Sequence, residues 1–378
     1  QIGDILYQRG DYDEALRIRH DVTLPVFERL GDTSSIAVTW GQIGDILYQR
    51  GDYDEALRIY RDVTLPVFER LGDTSSIAVT WGQIGDIAER RGDYDEALRI
   101  RHDVELPVFE RLGDTREIAL TWGKIGDIAE RRGDYDEALR IRHDVELPVF
   151  ERLGDTREIA LTWGKIGDIA ERRGDYDEAL RIRHDVELPA YERLGDTSAI
   201  AVTWGKIGDI AERRGDYDEA LRIYRDVTLP VFERLGDTRS IAVTWGKIGD
   251  ILYQQGDYDE ATSLQLKRLE TNKRLGGLDG IAAANWDLAQ IHLAQQDHES
   301  AAPKLIESYT IFRDLQRADG LAVVALTLAS LLAAADEIQQ AQQVADEGLQ
   351  AATKIGASTL VERLTSLLDH LSQGNDER

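Results

Sequence analysis

The chain of 378 residues contains no cysteine and no methionine. Without cysteine there is no disulfide, no thiolate-held zinc or iron–sulfur site and no thiol nucleophile. That composition fits a reducing cytosol, and a cytoplasmic location is expected. Without methionine, residue 1 is not a translational start, and the chain is expected to be part of something longer. Basic residues are in the minority: 45 Lys and Arg stand against 71 Asp and Glu, a net charge of −26. Such a charge repels nucleic acid and anionic membrane surfaces, so neither is expected as a partner. No apolar run reaches the roughly 18–20 residues of a membrane helix. Residues 1–30 lack a signal-peptide layout, because Asp and Arg interrupt each short apolar stretch.

What is present is regular. Trp40, Trp81, Trp122, Trp163, Trp204 and Trp245 are spaced 41 residues apart, and the text around them recurs almost unchanged. Fixed self-similarity at this period predicts a solenoid whose units contact mainly their neighbours. Residues 1–265 form near-identical repeats, the first lacking the start of its first helix. Residues 266–355 are degenerate and Ala-rich, and a step of 40 fits them better than 41, aligning Asn285 and Ala325 with the tryptophan position. A capping helix is expected over 356–372, with an apolar stripe of Leu360, Val361, Leu364, Leu367 and Leu368, followed by a polar tail over 373–378.

Each unit reads as two helices. In residues 73–113, Asp73 is placed to cap a first helix that runs through Trp81, Ile84, Gly85 and Ala88 and stops at Gly92. Asp93-x-x-Glu96 and, in the next unit, Asp114-x-x-Glu117 read as capping boxes. Tyr94, Ala97, Leu98, Arg101 and Val104 share related faces of a second helix. No window alternates in the strand period. The expected class is all-α: an α-solenoid, a right-handed superhelix of antiparallel helix pairs.

Pro25, Pro66, Pro107, Pro148, Pro189 and Pro230 sit late in the second helices. Proline lacks the N–H that would bond four residues back and crowds that carbonyl, so a kink or a separate short piece such as Val67 to Leu71 is expected. The tryptophans share their face with core residues and are expected to pack. His20, His102, His143 and His184 occupy one repeat position. Packed helices about 10 Å apart cannot bring equivalent positions onto one metal, so these are read as surface histidines and no metal site or cofactor is expected. Gly246-Lys247 is not followed by Ser or Thr, and Gly-x-Ser-x-Gly and His-Glu-x-x-His are absent. Acids recurring in every unit describe a periodic surface rather than an active site, so no enzyme is expected.

With Trp204 as position 4, Gly208 falls at 8, Tyr217 at 17 and Ala220 at 20. This pattern resembles the tetratricopeptide repeat in its long form, similar to kinesin light chains and to the sensor regions of bacterial signal-transduction NTPases. Pro230 falls at 30, where the family's helix-ending proline stands at 32. The resemblance implies that positions 2, 5, 9, 12 and 13 of the first helix line a concave groove that takes protein or peptide segments. Here they supply a ladder of Asp45, Asp86, Asp127, Asp168, Asp209 and Asp250. Position 12 is Tyr48 and Tyr253 towards the ends and Glu89, Glu130, Glu171 and Glu212 between, where position 13 is Arg90, Arg131, Arg172 and Arg213.

The expectation is a non-enzymatic interaction module with a protein or peptide partner in an acidic groove, a basic partner being the electrostatic match. The resemblance adds a place as the ligand-sensing arm of a larger signalling NTPase. Three alternatives stand beside it. A solvated face would hold only local ion pairs, such as Asp127 with Arg131 or Lys124 with Asp127. A repeat array can act as a structural spacer. The uncapped first repeat can also self-associate end to end.

Overall fold

Left-handed residues mark the helix ends and fix the repeat register. In the computed structural model, which describes residues 2–8 and 11–376, Gly31, Gly72, Gly113, Gly154, Gly195 and Gly236 close the second helices with positive φ, each 41 residues after the last. The next such residues are Gly276, Gln316 and Gly356, each 40 residues on. First helices end likewise at Gly92, Gly133, Gly174, Gly215 and Gly256, then at Gln296 and Asp336. The change of step therefore falls between Gly236 and Gly276, inside a second helix.

A wide turn ahead of each proline accounts for it. In six repeats the second helix has a wide-turn segment: Ile18–Thr23, Ile59–Thr64, Arg101–Glu105, Arg142–Glu146, Arg183–Glu187 and Ile223–Thr228. Each is followed by a short α-helix carrying the proline, such as Leu147–Leu153. The Leu147 N–H bonds the Arg142 carbonyl five residues back, the π-helical pattern. A π turn holds one more residue than an α turn, and the wider turn takes the pressure of the Pro148 ring off the preceding carbonyls. The repeat that starts at Trp245 tests this within the chain. Counted back from Gly276, Glu270 stands where the proline would be, and Tyr258–Leu275 is one uninterrupted α-helix. The expected kink or break is thus a π bulge, and the 41st residue of the repeat is the bulge.

The chain divides into two units, 1–194 and 195–378. In the first, antiparallel pairs such as Thr115–Arg131 with Tyr135–Leu153 recur down the chain. In the second, Thr197–Arg213 and Thr238–Gln255 with their partners lead into five α-helices from Leu278 to Asp376. No strand occurs among the described residues. The last helix, Ser358–Asp376, runs beyond the expected end at 372, with Leu364 sealed from solvent; residues 377 and 378 of the expected tail lie outside the described residues.

Small residues set the pair spacing. Ala56, Ala97, Ala138, Ala179, Ala220 and Ala261 are fully buried, as are Ile87, Ile128, Ile169 and Ile210. Each buried isoleucine contributes about 1.5–3 kcal/mol. Asp93 and Asp114 cap their helices by accepting from the Glu96 and Glu117 amides. The reciprocal half of the expected capping box is replaced at Glu96, which turns forward onto Arg99 at 2.7 Å. Trp122 is half-buried beside Leu106, Ile125 and Ile141, and the exposed His102 meets it edge-on at 5.6 Å.

Candidate partner-binding face

The π segments carry the largest fully buried side chains among the described residues. Arg101, Arg142 and Arg183 are fully buried. A glutamate one turn on answers each, at 2.5 Å for Glu105 and 2.8 Å for Glu146 and Glu187. Their guanidinium groups also donate to the ladder: Arg101 to Asp86, Arg142 to Asp127 at 2.5 Å and Arg183 to Asp168 at 2.6 Å. Lys124 and Lys165, from the following repeat, close the network on Asp86 at 3.2 Å and on Asp127 at 2.8 Å.

The acidic ladder is therefore internal cement between a helix pair and its neighbour. Asp86 and Asp127 keep only 32% side-chain exposure. The local pairs anticipated within one helix give way to pairs between helices: Lys124 reaches Asp86, not Asp127, and Arg131 reaches Glu89 of the preceding repeat at 3.1 Å. The helix stack thus brings cations to Asp86 and Asp127 from two directions, the second helix of the same pair and the first helix of the next.

Position 24 and the residue four further on vary between repeats, and Arg19 keeps its arginine over a threonine, Thr23. Where Tyr60 and Tyr224 replace arginine, Thr64 and Thr228 replace glutamate. The tyrosine hydroxyls donate to Asp45 at 2.8 Å and to Asp209 at 2.5 Å, while the threonine hydroxyls bond back to the Tyr60 and Tyr224 carbonyls. Gln83 donates to Asp45 and Lys247 to Asp209. At the last ladder position the charges are exchanged: Arg268 pairs with Asp287 at 2.6 Å, and Gln265 donates to Asp250 at 3.1 Å.

Local charge balance sets the titration. Burial opposes ionisation of Asp127, yet Lys165 and Arg142 outweigh it and hold the carboxyl below its usual range. Asp45 has only neutral donors, and burial raises it. Asp250, half-buried and facing Asp287, is pushed up to about 7, chiefly by desolvation. Burial also raises Glu89 and Glu212.

Positions 12 and 13 also pair between repeats within the first unit. Arg172 meets Glu130 at 2.8 Å, and the Tyr48 hydroxyl accepts from Arg90 at 3.0 Å. Glu171 accepts from Arg183 at 3.1 Å. In the second unit the Tyr253 ring lies 5.9 Å from Tyr258, Glu212 accepts from Tyr224 at 3.4 Å, and Arg213 is exposed. Apolar side chains at position 2 are left open on this face. Val38, Val79, Leu161, Val202 and Val243 are each 42–51% exposed. The sequence reading passed over the buried Arg–Glu pairs, although the joint change to Tyr and Thr four residues apart was a signal for them.

The repeat geometry agrees with sequence comparison. The profile described as tetratricopeptide repeat matches residues 1–64, 35–100, 158–229, 199–274 and 240–314, together more than half the chain. The chain belongs to the tetratricopeptide repeat family. Such repeats form protein-interaction modules, and the family is generally non-catalytic. Several solved structures share the fold of this repeat protein. A signal transduction ATPase with numerous domains and a tetratricopeptide repeat sensor, from Pyrococcus horikoshii, has a TM-score of 0.60 at 14% identity, over 94% of this chain and 54% of that one. Aspartyl phosphate phosphatase F from Bacillus subtilis has a TM-score of 0.60 at 13% identity, over 92% and 91%. The apo quorum sensor NprR from B. thuringiensis has a TM-score of 0.51 at 14% identity, over 92% and 99%. At these identities the likeness is one of fold. No curated protein matches the sequence. Among the described residues no group of acids and histidines is placed to hold a metal, and no helix is long and apolar enough to cross a membrane.

Proposed function

We propose that this repeat protein is a non-enzymatic binding module that takes a protein or peptide segment along the face carrying positions 2, 5, 9, 12 and 13 of its first helices. The observation that carries the reading is that Val38, Val79 and Leu161 in the first unit, and Val202 and Val243 in the second, stand exposed on first-helix faces whose carboxylates are engaged by the protein itself. Apolar side chains held open at the same repeat position, with Leu120 half-buried among them, offer an extended chain recurrent contacts, and the paired charges around them hold the frame rigid. The Pyrococcus relative, whose repeats are described as a sensor, supports a place as the sensing arm of a larger signalling protein. The absence of cysteine supports a cytoplasmic setting.

The test is selection of a displayed random twelve-residue peptide library on the wild-type protein and on Val79→Asp/Val202→Asp. These positions are exposed, so the variant keeps its core. Charge reversals on the ladder, such as Asp127→Lys with Asp168→Lys, would break the frame and are unsuitable. Peptides that bind the parent and lose at least tenfold on the variant support the face. Peptides indifferent to it, or no binders at all, overturn the reading.

A structural spacer is the second reading, favoured by ion pairs that repeat from one helix pair to the next, such as Arg132 with Asp95 and Arg173 with Asp136.

A further inference from the structure

At position 5 of the first helix the second helix normally fills the space. A Cβ on Gly82, Gly123 or Gly164 would stand 2.3, 2.2 or 2.5 Å from a carboxylate oxygen of Glu105, Glu146 or Glu187. Gly205 differs. Thr228 replaces the glutamate, and its methyl is the nearest neighbour at 3.9 Å. The vacated room is part of an open notch of about 260 Å³, walled by Val202, Val243 and Phe232. Sites for whole small molecules run to roughly 300–1,000 Å³. This one suits a single side chain, and its walls are apolar.

Its rim is cationic. Arg239 and Lys247 line the notch, and Lys247 is engaged by Asp209. Arg239 is exposed and makes no ion pair among the described residues. The reason is in the chain: Arg116, its counterpart, bonds Glu158 of the next repeat at 2.9 Å and approaches Asp155 at 3.6 Å. In the register set by Gly236 and Gly276, the answering positions after Arg239 are Gly280 and Gly277, which have no side chain to offer. The other open glycine, Gly41, is flanked by Gln42, Ser75 and Gln83 at the positions of Lys206, Arg239 and Lys247, so its surroundings are neutral.

We propose that the notch beside Gly205 is a specificity pocket for one aliphatic side chain of a bound peptide, with a neighbouring carboxylate of that peptide meeting Arg239. This rests on the peptide-binding reading above and deepens it. The net charge of −26 does not prevent it. Screening over about 8 Å at physiological salt confines the interaction to local charges, and the local unpaired charge is positive.

Tyr224→Arg/Thr228→Glu installs the residue pair of three other repeats and fills the notch with a combination this fold already accepts; Arg239→Ser installs Ser198 of the preceding repeat. The displayed twelve-residue library is selected on the parent and on the filled variant, and enriched peptides are titrated on all three proteins. The expected result is enrichment, on the parent alone, of Leu, Ile or Val next to Asp or Glu. Affinity should fall at least tenfold on filling and about threefold for Arg239→Ser. Arg239→Glu, a surface change that leaves the core intact, should turn the preference towards Lys or Arg. Binders that are indifferent to all three variants yet lost on Val79→Asp/Val202→Asp would overturn the notch and leave the binding face standing. A library that yields no binder on the parent overturns both.

Discussion

Arg142 and Glu146 lie one turn apart on the same π segment, joined at 2.8 Å, with side-chain exposures of 0% and 6%. Neither could be buried alone. The cost of removing each charge from water is offset by the other, by Asp127 and Glu130 around the guanidinium, and by Lys165 near Glu146. Arg142→Met should therefore leave two carboxylates short of a cation and destabilise the chain by about 3–5 kcal/mol. Arg142→Tyr/Glu146→Thr, the combination at Tyr224 and Thr228, should recover most of that loss. Urea unfolding of the parent, both single variants and the double gives the coupling; a double no better than Arg142→Met would remove the case for a paired replacement.

The exposed pairs between repeats should behave differently. Arg173 meets Asp136 at 2.6 Å, a shorter contact than Arg142 to Glu146, but the side chains are 39% and 92% exposed. Asp136→Ala should cost under about 1 kcal/mol in the same urea experiment, and less in high salt. A loss as large as that of Arg142→Met would mean that distance outranks burial here.

The π bulge should follow from residue count rather than from proline alone. Asp134 and Gly154 hold the two ends of the second helix, so the extra residue has nowhere else to go. Pro148→Ala is expected to keep the bond from the Leu147 amide to the Arg142 carbonyl in a crystal structure. Deleting Asp144 together with Pro148→Thr should give a continuous α-helix like Tyr258–Leu275. An α-helix in the simple alanine variant would show that the ring alone imposes the wide turn.

Stability should depend on pH through Asp250. Its folded value is about 7, against about 3.9 for an unperturbed aspartate. Between these values the folded chain holds more protons than the unfolded one, so this group's contribution falls as pH rises from about 4 to 7. Asp250→Asn removes that penalty. Its advantage over the parent should grow through this window to at least about 1 kcal/mol at pH 8, about the worth of one pKa unit. Thermal melts of both proteins from pH 4 to 8 read it directly, and a constant difference would contradict the assignment.

The 41-residue spacing of tryptophans, the capping aspartates and the helix-ending glycines were all legible from residue order, because capping and amphipathic periodicity act within one or two turns. The helix pairs and their ends follow from them. The change of step to 40 was visible as well, though not its cause. That cause lies in hydrogen bonds shifted from four residues to five ahead of a proline, which composition does not display. The candidate face was legible as a set of positions, with Asp86 and Asp127 on it, but not as a charge state.

Residue order by itself determined the repeat, the all-helical class and which side chains stand at each place on the first helix. Only tertiary structure decided that Arg101, Arg142 and Arg183 are buried, that Lys124 and Lys165 answer carboxylates of the preceding repeat, and that Gly205 faces open space where Gly164 faces Glu187. The physical reason is range. Caps and periodicity are properties of neighbours along the chain, whereas the partner of a charge depends on which side chains packing brings within a few ångströms across some 40 residues of sequence.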